Sequence, residues 1–246
     1  IKNSTAKSII AYIEESFYKI HKSYNKIDAY IAPSEFHQNE ILKSNITNNQ
    51  VYHLTNFLPI NTQYSLHESK NFYLFLGSLT KDKGVMTILK AFHKAHIDNF
   101  KLVLAGNGPE QETLNEYIHN NGLEEKVLLP GFVSGDELAI LKKYAYIVIM
   151  ASECYENCPY GLMEPMAYGK PVIGSRMGGI PELAIDGITG WTFESKNIDE
   201  LSDLFVKTSK LSKDEYASLS KSTLDFAKKT FDSKNYINNL LEIYKK

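Results

Sequence analysis

The sequence predicts an α/β protein built on a parallel, doubly wound sheet. Short apolar runs recur at Phe72–Leu76, Lys101–Ala105, Val127–Leu129, Tyr146–Met150, Pro171–Gly174 and Gly190–Phe193. Segments of helical character separate them, at about Val85–His96, Gln111–Asn120, Asp136–Lys143, Gly161–Tyr168 and Pro181–Ala184. The runs are continuously apolar, as strands covered on both faces by crossover helices are.

The elements outside this alternation read as follows. Thr5 to Asn25 carries Ile9, Ile10, Ile13, Phe17 and Ile20 at helical spacing. Lys7, Lys19, Lys22 and Lys26 lie mainly off that stripe. An ordinary packed helix and a helix lying against anionic lipid both fit it. Asp28 to Ala32 is a short strand closed by Pro33-Ser34, and a helix follows from Glu35 to Lys43. Val51 to Leu54 is a second strand, and residues 60–70 are polar and irregular, as a linker is. Two strands cannot bury two sheet faces alone, so residues 1–58 read as the end of a first Rossmann-like domain whose earlier part is absent. The tail from Ile198 is helical, with breaks near Ser209–Ser212 and Thr230–Ser233. The expected division is 1–58 for the remnant, 59–70 for the linker, 71–225 for a ligand-binding domain and 226–246 for a closing helix.

Composition narrows the function. The chain has 246 residues, 43% of them hydrophobic, enough for one large or two modest domains. A net charge of −2 supplies no global basic field, so nucleic acid is not expected as a partner. No apolar run approaches the ~20 residues that span a bilayer. The two cysteines, Cys154 and Cys158, fit a reducing cytoplasm better than a disulfide scaffold. Their C-x3-C spacing lacks the further ligands of a zinc site, and His93 and His96 lack a partner set. No metal is expected.

Five loops follow strands at the carboxyl edge, where open α/β sheets bind ligands. Gly77-Ser78-Leu79-Thr80-Lys81-Asp82-Lys83-Gly84 pairs a glycine turn with a lysine suited to phosphate. Gly106-Asn107-Gly108-Pro109 has a G-x-G but no third glycine and no acidic ribose ligand, which disfavours a dehydrogenase. Pro130-Gly131-Phe132-Val133-Ser134 offers backbone that could read a base edge. Gly178-Gly179 permits a sharp loop in the fifth segment, either as cleft wall or in contact with ligand.

The fourth loop is the most informative. In Glu156-Asn157-Cys158-Pro159-Tyr160-Gly161-Leu162-Met163-Glu164, seven residues separate two carboxylates. The first lies in a loop and the second in the first turns of a helix. Helix N-termini attract phosphate and carboxylates accept hydrogen bonds from hydroxyls. Phosphate beside hydroxyls suggests a nucleotide sugar. An acid–base pair for hydrolysis fits this arrangement less well.

Together these motifs resemble the GT-B glycosyltransferases of family four, the glycosyl transferases group 1. The likeness runs from about Asp28 to Tyr244. It is carried by the E-x7-E run with Met166-Ala167-Tyr168-Gly169-Lys170-Pro171-Val172, by Lys83-Gly84, by Gly106-Asn107-Gly108-Pro109 and by Gly178-Gly179-Ile180-Pro181-Glu182. The resemblance implies a donor-binding C-terminal GT-B domain and metal-independent, retaining transfer of a sugar from a UDP-type donor to a glycan or lipid-linked acceptor. It gives Glu164 the ribose hydroxyls and Glu156, the catalytic candidate, the hydroxyls of the transferred sugar. Tyr160, Gly161 and Leu162 supply backbone N–H groups, and Lys83 neutralises the leaving diphosphate. Gly77 and Ser78 line the diphosphate side, and Asn107 and Val133 lie near the base. No D-x-D motif or cofactor site accompanies them. Ser78 stands where the family usually has arginine, so one cation is missing. Pro165 replaces a common alanine at a position near a helix start, where proline is tolerated. A cytoplasmic protein, peripheral at a membrane, in surface polysaccharide synthesis is the role implied. A UDP-sugar epimerase of the same fold and a non-catalytic nucleotide-sugar-binding subunit are the alternatives.

Overall fold

The computed structural model describes residues 5–245. Two sheets form. The smaller pairs β1 (Ala29–Ala32) in parallel with β2 (Gln50–His53), joined by α2 (Glu35–Ser44). Ser34 caps α2 by accepting from the His37 N–H at 3.1 Å, and Asn45 ends it in a left-handed conformation.

The larger sheet has six strands: β3 (Phe72–Leu76), β4 (Lys101–Ala105), β5 (Val127–Gly131), β6 (Ile147–Met150), β7 (Val172–Ser175) and β8 (Gly190–Phe193). Their spatial order is β5-β4-β3-β6-β7-β8 and every pairing is parallel. The chain winds outward from β3 to one edge, returns to β6, and winds to the other. That reversal opens a crevice between the carboxyl ends of β3 and β6.

Both faces of the sheet are buried at the inner strands and at β7 and β8, as the continuous apolar runs require; edge strand β5 alternates, with Leu128 exposed. On β3, Tyr73 and Phe75 enter one core and Leu74 the other; on β6, Ile147 and Ile149 part from Val148 and Met150 in the same way. The first core is closed by α3 (Val85–Ala95), α4 (Gln111–Asn120) and α8 (Ile198–Ser209). The second is closed by α5 (Gly135–Tyr144), α6 (Tyr160–Met166), α7 (Ile180–Leu183) and α9 (Lys213–Thr230). A capping box between Ser212 and Glu215 starts α9. That helix continues unbroken past residue 225, and the break before α10 (Ser233–Tyr244) falls at Phe231-Asp232.

α1 (Thr5–Ile20) is shorter than the sequence suggests, because Lys22 adopts a left-handed conformation and a 3-10 turn, Ser23–Lys26, follows. No residue of α1 is buried, and Ile10, Ile13 and Ile20 are 64%, 60% and 78% exposed. Its apolar stripe is therefore not packed on the rest of the described chain. Among the described residues no helix is long and apolar enough to cross a membrane.

The linker is irregular but firmly held. Lys170, wholly buried, donates its ammonium to the carbonyls of His67 at 2.7 Å and Glu68 at 3.3 Å. The Ser65 N–H bonds the Ala167 carbonyl, and Gly169 packs so closely on Leu66 and Ser220 that a Cβ would collide with them.

Candidate active site

The loops after β3, β4 and β5 form one backbone knot. The Gly77 N–H donates to Ala105, the Leu79 N–H to Asn107 and the Gly106 N–H to Gly131. A Cβ on Gly106 would lie 1.8 Å from the Gly77 carbonyl oxygen, and one on Gly108 2.2 Å from that of Leu79. Only glycine allows this approach, which accounts for the G-x-G without a dinucleotide. Gly77, Ser78 and Asn107 are exposed on the knot. The Val133 side chain is buried in the second core, so only its backbone is available to a ligand.

A second closure joins the loops after β3 and β6 across the crevice. Gly84, at φ +66°, starts α3, and a Cβ there would sit 2.0 Å from the Ala151 oxygen. The Glu153 N–H donates to the Asp82 carbonyl at 2.8 Å. Lys83 is thereby carried to the crevice mouth, where its ammonium pairs with Glu156 Oε1. Burial opposes the Lys83 charge, but the Glu156 hydrogen bond and charge outweigh it and raise its pKa.

Glu156 is held from two further sides. Ser152, wholly buried, donates its hydroxyl to Glu156 Oε1 at 3.0 Å. The Gly178-Gly179 turn clasps its backbone: the Gly179 N–H donates to the Glu156 carbonyl at 2.6 Å, and a Cβ on Gly178 would lie 2.2 Å from that oxygen. Gly178-Gly179 thus shapes the wall behind Glu156. Arg176 points elsewhere: its Nη2 donates to both oxygens of Glu200, at 2.7 and 2.8 Å, and its Nε to Glu194.

Glu164 belongs to a neighbouring pair. It lies on the second turn of α6 and accepts from Lys142 of α5 at 2.7 Å. Leu58 and the linker residues Pro59, Asn61, Thr62 and Gln63 line the same depression, with a volume of about 300 Å³. The start of α6 sits at the sheet reversal, because Gly161 lies against Met150 of β6 and the Leu76 carbonyl of β3. The first N–H groups of a helix lack intrahelical partners. The Leu162 and Met163 N–H groups already bond Pro159, which leaves Tyr160 and Gly161 as the positions with N–H groups to offer. The Leu162 side chain is fully buried, and Tyr160 is 45% exposed.

The structure thus gathers Gly77, Ser78, Lys83, Glu156, Tyr160, Gly161 and Glu164 along one sheet edge, with Asn107 and Val133 further along it. The sequence motifs do not single out Lys142 or Ser152. Ser152 had a signal: it closes the apolar run into β6 and stands four residues before Glu156. Lys142, one of two adjacent lysines on α5, has none.

Cys154 and Cys158 are free. His93 bonds the Tyr117 hydroxyl at 3.0 Å. Among the described residues no cluster of acidic, histidine and cysteine side chains could hold a metal ion.

The architecture is that of GT-B glycosyltransferases. A variant of S. aureus TarM, solved with fondaparinux, alpha-GlcNAc-glycerol and UDP, superposes with a TM-score of 0.80 over 94% of this chain and 47% of its own, at 17% identity. That likeness is one of fold. The Glycosyl transferases group 1 family matches residues 59–224, well over half of the sequence, and the chain belongs to that family. An uncharacterized glycosyltransferase of Methanocaldococcus jannaschii is 35% identical over 139 residues, covering 55% of this chain and 35% of its own length. The N-acetyl-alpha-D-glucosaminyl L-malate synthase of Bacillus anthracis is 32% identical over 151 residues, covering 61% and 39%. The chain spans well under half the length of these relatives.

Proposed function

We propose that this chain is the donor-binding half of a retaining glycosyltransferase that transfers a hexose-type sugar from a nucleoside diphosphate, with UDP the expected carrier. The observation that supports it is the pair of carboxylates at the sheet reversal, each on its own lysine: Glu156 with Lys83 and Glu164 with Lys142. A ligand with hydroxyls on both sides of a diphosphate calls for two acceptors and for cations beside them. Glu164 accepts from the ribose hydroxyls. Lys83 and the Tyr160-Gly161 N–H groups stabilise the leaving diphosphate, a role that lysine and a helix N-terminus can fill without a divalent ion. Glu156 accepts from hydroxyls of the transferred sugar and fixes its orientation. Asn107 and the Val133 backbone lie on the side left for the base.

Retention follows the family resemblance. The acceptor, a glycan or lipid-linked group, binds mainly to the other domain of the fold, so this chain alone binds donor and transfers little. Surface polysaccharide synthesis at the cytoplasmic side of a membrane is the setting proposed. The UDP assignment draws on the UDP in the TarM complex.

Calorimetric titration with UDP, GDP, ADP and inorganic phosphate tests this reading, with Glu164→Ala as the control. Selective UDP binding, lost in the variant, is expected. Unchanged affinity in Glu164→Ala would remove that residue from the ribose, and absence of any nucleotide binding would overturn the donor assignment.

A further inference from the structure

Lys83 and Ser152 both donate to the same oxygen of Glu156, Oε1. The other oxygen, Oε2, accepts no hydrogen bond from the described residues. The Glu156 side chain is 18% exposed and Lys83 is 30% exposed, so water reaches the pair only in part. A diphosphate arriving at the crevice mouth carries more negative charge than one carboxylate and competes for the Lys83 ammonium. Once Lys83 moves, Glu156 keeps its charge in a partly desolvated place and loses its cation.

Ser152 is the group that remains. Its hydroxyl is short, buried and fixed. Its own carbonyl accepts the Ser175 hydroxyl at 2.8 Å and the Ser195 hydroxyl at 3.3 Å, which ties it to the end of β7 and the loop after β8. None of these bonds involves Lys83. Hydrogen bonds to a charged group are stronger than neutral ones, and an unsatisfied buried carboxylate is costly.

We propose that Ser152 is a positioning residue: it holds the Glu156 carboxylate through Oε1 while Lys83 is drawn away to a bound diphosphate. This rests on the donor-site reading above but concerns only the cation side of the site. Glu156 then opposes diphosphate binding, by holding Lys83, and Ser152 favours it, by satisfying the carboxylate that Lys83 leaves.

Two neighbouring substitutions should therefore act with opposite sign. The probe is inorganic pyrophosphate, which lacks both ribose and sugar, titrated by calorimetry into this chain. Glu156→Gln should tighten pyrophosphate binding about tenfold, because Lys83 starts unpaired. Ser152→Ala should weaken it about fivefold, and Ser152→Cys, which keeps a weaker donor, should fall between Ser152→Ala and the parent. In the Glu156→Gln background the Ser152→Ala effect should vanish. General damage to the loop would weaken binding in both single variants and persist in the double. Unchanged affinity in Ser152→Ala, an equal effect in the double variant, or no tightening in Glu156→Gln would overturn the proposal. If pyrophosphate follows the expected pattern while no nucleotide binds, the nucleotide-sugar reading falls and the role of Ser152 stands.

Discussion

Lys83 and Glu156 face each other across the gap between the loops after β3 and β6, and their side chains are joined there as an ion pair. Their partnership depends on backbone contacts that no side chain could replace. Lys83 is brought to the gap by Gly84, and Glu156 is clasped by Gly178-Gly179. The acid and the base are thus held from opposite walls of one crevice.

Gly84→Ala should unfold that arrangement locally. The residue has φ +66°, and an added Cβ would meet the Ala151 oxygen at 2.0 Å. Backbone strain of this kind costs about 1–3 kcal/mol before the collision is counted. Urea denaturation should show a loss of at least that size, together with weaker nucleotide binding. A variant as stable as the parent would mean that the β3 and β6 loops can separate freely.

Much of this was legible in the sequence. The six strands of the main sheet fall within a residue or two of the apolar runs; five of them are covered on both faces and carry no polar alternation to blur their limits, and edge strand β5, with Leu128 exposed, runs two residues beyond its apolar run. Motif and spacing single out Lys83, Glu156 and Glu164 as candidates. Other features depended on contacts between distant segments. Lys142 meets Glu164 only because α5 packs beside α6. The Glu182 carboxylate crosses 147 residues of sequence to reach the Glu35 N–H, which no local pattern encodes. The end of α1 is not legible in the sequence, because Lys22 takes a left-handed conformation without glycine or proline to announce it.

That Glu182 contact carries its own expectation. Its two oxygens accept from the Glu35 and Phe36 N–H groups at 2.9 and 2.8 Å, at the start of α2. They act as a cap supplied by another element and anchor the β1–α2–β2 unit to the main sheet. Losing a cap costs roughly 1 kcal/mol. Glu182→Ala should raise amide exchange across α2 while leaving the six-stranded sheet protected. Equal exchange in α2 would show that Ser34 alone secures the helix start.

Lys170 gives the protein a distinctive alkaline behaviour. Burial pulls its pKa down from 10.5 to about 8. Between those two values the unfolded chain binds the extra proton and the folded chain does not. Stability therefore rises with pH across that window, and below pH ~8 this contribution is flat. Above it the neutral amine still donates to the linker carbonyls without the cost of a buried charge. Lys170→Met removes the donor, so its penalty should be larger at pH 9.5 than at pH 7, by about 2 kcal/mol. Urea midpoints at the two pH values would show this; a penalty independent of pH would mean the ammonium is solvated.

Ser78 invites the opposite kind of test, a gain of function. It is exposed on the knot of loops, and its neighbours Gly77 and Leu79 are fixed by backbone bonds to Ala105 and Asn107. A side chain placed at residue 78 therefore starts from a defined position over the crevice. Two basic groups near that crevice are already engaged, Lys83 by Glu156 and Lys142 by Glu164. Arginine presents a planar fork that binds phosphate in a bidentate manner, at a low desolvation cost compared with lysine. Ser78→Arg should tighten UDP binding about tenfold at low ionic strength, with a steeper loss as salt is added, since the new contact is exposed and screened. A Ser78→Gln variant, similar in reach but uncharged, should gain little. Equal UDP affinity in Ser78→Arg and the parent at low salt would show that the diphosphate does not lie against residue 78, and would move the leaving group toward the Tyr160-Gly161 end of the crevice.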